Sequence, residues 1–175
     1  MSKWELAKHL RPQKGPATRP PRPLSEVTYA GPDDYEPLLL FLNDMHDEID
    51  GGRVELDLLA DLALDLTHRI GGVVFVVRGP MGIEASLGLR AEHSLFSRTH
   101  YLRSTWLVVS QEARATGHAK SLLIKGRELA DSMGRSLLIE ELAPDMSSGK
   151  VKLVGRHLQQ AGAIFRHSPK AASVA

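Results

Sequence analysis

The sequence predicts an α+β domain in which a mixed, mostly antiparallel sheet is flanked by helices, with an extended basic arm ahead of it. Three observations carry this expectation. Apolar residues follow a helical period up to Ile70 and a strand period from Gly72 onward. A turn signal, Gly79-Pro80-Met81-Gly82, separates two apolar β runs. A third run ends at Val109, and a turn carrying Arg114 and Gly117 then opens a second helical pattern.

Residues 1–24 form the arm. Lys3, Lys8, Arg11, Lys14, Arg19 and Arg22 stand there against the single acid Glu5, together with five of the ten prolines. This surplus of five positive charges leaves about −4 on the remainder of a chain whose net charge is +1. Such a segment buries too little apolar surface to fold alone, so it is expected to be extended. It is a candidate for docking on a second copy or another partner; a solvated linker explains the same composition.

Ser25–Ala30 reads as a short first strand. Pro32-Asp33-Asp34 then opens a helix with acids in its first turn, where the helix dipole favours them. Its apolar stripe is Leu38, Leu39, Phe41, Leu42, Met45 and Ile49, and Gly51-Gly52 ends it. A second helix is expected from about Val54 to Ile70. Leu58, Leu59, Leu62, Leu66 and Ile70 lie on its apolar face, with Asp57, Asp61 and Asp65 opposite. Val73–Val77 is a fully apolar strand. Ile83, Ala85, Leu87 and Leu89 alternate with Glu84, Ser86, Gly88 and Arg90, the period of a half-buried strand, so the two runs pair as a hairpin. The third strand spans about His100 to Val109. A helix follows with Ala119, Leu122, Leu123, Leu129, Ala130 and Met133 on one face, then a strand over Arg135–Glu141. A last helix over Lys150–Gln160 and a short strand, Ala163–Phe165, complete the order.

The segment Val109-Ser-Gln-Glu-Ala-Arg114-Ala-Thr-Gly117-His-Ala119 is the most specific in the chain. A strand, a turn with Arg and Gly, and a helix N-terminus together make a place to hold phosphates. Free N–H groups and the positive end of the dipole face the anion, and glycine lets the backbone come close. Gly117-His-Ala-Lys120-Ser121 has a superficial likeness to a nucleoside-triphosphate loop. That reading fails, because Ala119 stands where a glycine must precede the lysine and Arg114 where the first glycine belongs.

Arg114-Ala-Thr-Gly117-His-Ala119 resembles the acetyl-CoA-binding motif (Arg/Gln)-x-x-Gly-x-(Gly/Ala) of the GCN5-related N-acetyltransferases. The element order matches that family's acyl-CoA N-acyltransferase fold, so the resemblance spans residues 25–167 and leaves 168–175 as a tail. It implies that acetyl-CoA is the cosubstrate. By position, Leu107 and Val109 would pair with pantetheine, and Arg114, Ala115, Thr116, Gly117, His118 and Ala119 would line the pyrophosphate. Acetyl transfer also needs a base for the ammonium proton and an acid for the leaving thiolate. Many family members supply the acid from a Tyr in the last helix, four residues before a Gly. Here Leu158 stands four residues before Gly162, Ala163 replaces the Phe that usually follows, and the customary Asn has only Ser147 or Ser148 as counterparts. His157 is the substitute acid at hand. Glu140 is the expected base, ahead of Glu141, which points to the opposite face, and of Glu84 and His100. Asp44, Asp47, Glu48, Asp50 and the Asp57, Asp61, Asp65 stripe would give the acceptor site an acidic rim.

The implied activity is direct acetyl transfer to a small-molecule or peptide amine. The alternative from another class is a non-catalytic assembly protein on the same fold, docking on neighbours or itself through residues 1–23. Nucleic-acid binding rests on the charge of the arm alone and ranks behind both. With no cysteine, the chain has no disulfide, thiolate metal site or thiol nucleophile, and it carries neither a membrane-length apolar run nor a visible signal peptide. Cytoplasmic location is the expectation. His46 and His68 lack metal-ligand partners at matched spacing, so no metal site is expected.

Overall fold

The computed structural model describes residues 25–49, 55–93, 100–139 and 149–158. The arm, Asp50 to Val54 with the Gly51-Gly52 break, Glu140, Glu141, Ser147, Ser148, Gly162, the expected closing strand and the tail lie outside the described residues. In chain order the elements are β1 (Thr28–Tyr29), α1 (Tyr35–Asp44), α2 (Leu56–Thr67), β2 (Gly72–Gly79), β3 (Gly82–His93), β4 (His100–Val109), α3 (His118–Ser132), β5 (Ser136–Leu138) and α4 (Gly149–His157). Single 3₁₀ turns precede and follow α1, at Pro32–Asp34 and His46–Glu48.

The Gly79–Gly82 signal closes the expected hairpin. Gly79 pairs with Gly82 across the two-residue loop Pro80-Met81, and β2 and β3 run antiparallel from there. The sheet order is β1-β2-β3-β4-β5; every pair is antiparallel except β4–β5, which is parallel. Two glycines in it are required by close packing. A Cβ at Gly72 would meet the Leu89 carbonyl and a Leu66 methyl, and one at Gly88 would meet Thr105 and the Trp106 ring.

Alternation sends successive side chains to two cores, one on each face. Val74, Val76, Trp106 and Val108 pack under α1 and α2, against Leu38, Phe41, Leu42, Leu59, Ala63 and Leu66. Phe75, Val77, Ala85, Leu87, Leu89 and Leu107 pack under α3, against Leu122, Leu123 and Ala130. β3 is therefore buried on both faces rather than half-buried, and Ser86 and Gly88 are as enclosed as the leucines between them. The Ser86 hydroxyl is satisfied there by the Trp106 indole N–H at 3.0 Å.

Other sequence expectations shift. The first strand shrinks to Thr28–Tyr29 plus an Ala30 N–H bond to the Val74 carbonyl, and Ser25 gives its N–H to Ser121 on α3 instead of to β2. The first helix stops at Asp44, and Met45 and Ile49 are buried from the following turn instead. α2 keeps Leu59, Leu62 and Leu66 of the expected face against the core but is rotated about it: Ala63 and Thr67 are buried as well, whereas Leu58 and Ile70 are each 62% exposed. The strand after α3 is three residues long, and the last helix ends at His157. No helix among the described residues is long and apolar enough to cross a membrane.

Candidate functional site

β4 carries the site. Its first residues pair with β5 through Tyr101–Ser136, Leu102–Leu137 and Arg103–Leu138, and the described part of β5 goes no further. A bulge follows: Leu89 faces Ser104 and Gly88 faces Trp106, leaving Thr105 as the extra residue. Beyond it the Ser110 N–H bonds to the Glu84 carbonyl, so Val108 and Trp106 also turn their main-chain groups toward β3. Leu107 and Val109 therefore direct theirs away from β3, along the edge that β5 leaves bare among the described residues.

That edge leads straight into the turn expected from the sequence to cradle a phosphate. The turn after β4 is held by N–H bonds from Ala113 to Ser110, Arg114 to Gln111 and Thr116 to Ala113. Ala115 and Gly117 adopt left-handed conformations, with φ of +68° and +102°. Ala115 does so against the preference of an L-residue, the kind of local strain that collects at binding loops. Gly117 is the residue before α3, with no side-chain cap on the helix and no acid in its first turn. The N–H groups of His118, Ala119 and Lys120 thus have no intrahelical acceptors. A Cβ at Gly117 would touch nothing within 4 Å, so the space before this helix end is open. Bare strand edge, open glycine and uncapped helix end fit the pantetheine and pyrophosphate of coenzyme A.

The side chains of the motif are committed elsewhere. The Arg114 guanidinium forms an ion pair with Glu48. The Thr116 hydroxyl donates to the Ala113 carbonyl at 2.5 Å. The His118 ring lies between Ser25 and Glu84 and is 11% exposed. The cradle consists of main chain, and the predicted side-chain contributions of Arg114 and Thr116 are engaged within the protein. Sequence reasoning missed the Ser25–His118–Glu84 grouping; its members lie 93 and 34 residues apart, and no local pattern announces it.

A cleft of about 590 Å³ lies between the end of α1, the β2–β3 turn and the segment after β4. Asp44, Asp47, Glu48, Glu84 and Glu112 line it together with Phe41 and Met81, and among the described residues no lysine or arginine does. Asp57, Asp61 and Asp65 are exposed on α2 and do not line it. Leu158 follows α4, half-buried, with its N–H bonded to the Val154 carbonyl. Glu140 lies outside the described residues. No group of three or more metal-ligating side chains occurs among the described residues.

No protein-family model and no curated protein sequence matches the chain. Solved structures do. The chain is similar to a possible acetyltransferase from Clostridium difficile 630, with 15% identity and a TM-score of 0.64 over 84% of this chain and 99% of that one. An aminoglycoside acetyltransferase from an uncultured soil metagenomic sample aligns at 13% identity and a TM-score of 0.63, over 83% of this chain and 98% of that one. A GNAT family acetyltransferase from Staphylococcus aureus aligns at 13% and 0.57, over 83% of this chain and all of that one. Likeness at these identities is likeness of fold: the chain has the fold of the GCN5-related N-acetyltransferases.

Proposed function

We propose that this protein is an acetyl-CoA-dependent N-acetyltransferase that passes the acetyl group directly to a primary amine. The observation that carries the reading is the continuity of the β4 edge at Leu107 and Val109, unpaired among the described residues, with the uncapped N-terminus of α3. Acetyl-CoA supplies the activated thioester. The main chain of Leu107 and Val109 holds the pantetheine amides and polarises the thioester carbonyl, and the N–H groups of Gly117 to Lys120 take the pyrophosphate. Binding both reactants in one cleft replaces a bimolecular encounter with an oriented one. The acidic cleft draws in a cationic acceptor, and one of the similar structures is described as an aminoglycoside acetyltransferase. Glu140 is the proposed base.

Titrating the purified protein with acetyl-CoA by calorimetry, with ATP as a control, tests this. Micromolar binding that vanishes in Gly117→Glu but persists in Gly117→Ala, which carries the same strain at φ +102° and melts below wild type to a similar extent, is the expected result. The new carboxylate would project into open space ahead of the helix and repel the pyrophosphate. Unaltered affinity in Gly117→Glu removes the cradle. A second reading, an assembly protein on the same fold with residues 1–23 as its docking arm, is favoured by Leu158, which places an alkyl chain where many relatives carry a phenol. Absence of binding at millimolar acetyl-CoA supports it.

A further inference from the structure

The Ser25 hydroxyl lies 2.6 Å from His118 Nδ1, and His118 Nε2 lies 2.8 Å from a Glu84 carboxylate oxygen. A carboxylate can only accept, so Nε2 carries the ring proton and the Nδ1 lone pair faces the hydroxyl. Each member is held from a separate direction. The Ser25 N–H donates to Ser121 Oγ at 2.9 Å, fixing the serine on the first turn of α3. His118 is the first residue of that helix. Glu84 lies over Gly79, where a Cβ would collide with its carboxyl group. Ser25 opens onto a recess of about 190 Å³ lined by Val27, Ser121, Ile124, Lys125 and Glu128. Nucleophile within hydrogen-bond reach of a base, base oriented by an acid, and space beside the nucleophile are the three elements of acyl-transfer chemistry by a serine.

We propose that Ser25, His118 and Glu84 form a second catalytic centre, a nucleophile–base–acid triad that takes the acyl group of small short-chain esters. Ser25 Oγ attacks the ester carbonyl carbon while its proton passes to His118 Nδ1. Glu84 balances the imidazolium through the Nε2 proton, which it does not remove. The tetrahedral adduct collapses, the bond to the leaving oxygen breaks, and the Nδ1 proton goes to the departing alkoxide. Water then repeats the sequence on the acyl-serine, releasing the carboxylic acid and restoring the hydroxyl.

The full-length protein is mixed with p-nitrophenyl acetate and followed by absorbance and intact mass. No coenzyme A enters the assay, so its outcome is independent of acetyl-CoA binding. The expected result is p-nitrophenolate release with one acetyl group gained on Ser25. The label is lost in Ser25→Ala, and acylation slows by about 10²-fold or more in His118→Gln. No release above buffer, or labelling that persists in Ser25→Ala, overturns the proposal. Because the chain has no cysteine, Ser25→Cys places a single thiol at this position while keeping the N–H bond to Ser121. Its alkylation by iodoacetamide between about pH 5 and 8 is expected to exceed that of the same variant carrying His118→Gln, through a thiolate stabilised by the imidazolium. Equal rates at every pH, in two folded variants, overturn the triad.

Discussion

Asp34 accepts hydrogen bonds from the Gly31 N–H at 2.8 Å and from Arg78, whose guanidinium also reaches the Thr28 hydroxyl. One carboxylate thereby caps the turn ahead of α1 and ties it to the end of β2. Burial alone would push this carboxyl up; the Arg78 hydrogen bond, the Gly31 N–H and the Arg78 charge outweigh it and hold it below its ordinary 3.8. A carboxyl depressed in the folded state stabilises the fold above its unfolded value, and the contribution disappears as pH falls through the folded value. Asp34→Asn is therefore expected to lower the melting temperature above about pH 5, with the difference from wild type closing as the solution is acidified below about pH 4. A difference that stays constant down to pH 2 would assign the loss to the cap alone. The sequence announced Asp34 as a favourable first-turn acid. Its guanidinium partner lies 44 residues away and could not be read there. The same holds for Arg114, legible as an anion contact from its motif yet claimed by Glu48 across 66 residues of chain.

Among the elements, β4 was the most legible, its observed limits His100–Val109 coinciding with the expected ones. A long run bounded by turn chemistry leaves little freedom in where a strand begins and ends. α2 was less so, because leucine stands at 56, 58, 59, 62, 64 and 66 and a stripe can be drawn through several subsets. Ala63, fully enclosed, belongs to the true face but contributes almost nothing to a hydrophobic pattern. The parity of β4 yields a paired prediction. Val109 turns its N–H to the bare edge, so Val109→Pro removes one bond to the proposed pantetheine while sparing the ladder to β3. Acetyl-CoA affinity should fall about tenfold with a modest loss of melting temperature. Val108→Pro, one residue earlier, cuts the ladder itself and should cost about 3 kcal/mol or more in a denaturant titration. Reversal of the two effects would place the cosubstrate on the other side of the strand.

At the scale of the molecule, the sheet is a partition between two cores, and each must be filled independently. The fold class was legible because the switches of period mark where helix gives way to strand, at Gly72, and strand to helix, after Gly117. The double-sided burial of β3 was not, since Ser86 and Gly88 read as solvent-facing until Trp106 is placed above them. Truncations on either side should be costly and should not depend on the cosubstrate. Leu66→Ala under α2 and Leu122→Ala under α3 should each lose about 2–5 kcal/mol by chemical denaturation, whereas Leu58→Ala, 62% exposed, should stay within about 0.5 kcal/mol of wild type. A large loss at Leu58 would mean that α2 packs on the face the leucine pattern first suggested.

The edge of β4 at Leu107 and Val109, unpaired among the described residues, bears on what else could bind there. An unpaired strand margin is a template for another strand, whether it comes from a ligand or from a neighbouring molecule. On the far side of the sheet β1 offers only two residues and makes a poor template. On the β5 side, Leu107 and Val109 turn their main-chain groups away from β3, with no strand partner among the described residues. The place proposed to grip pantetheine is thus also where a strand would compete with the cosubstrate for the same main-chain groups. A cosubstrate lying along that margin would stand in the place of such a strand.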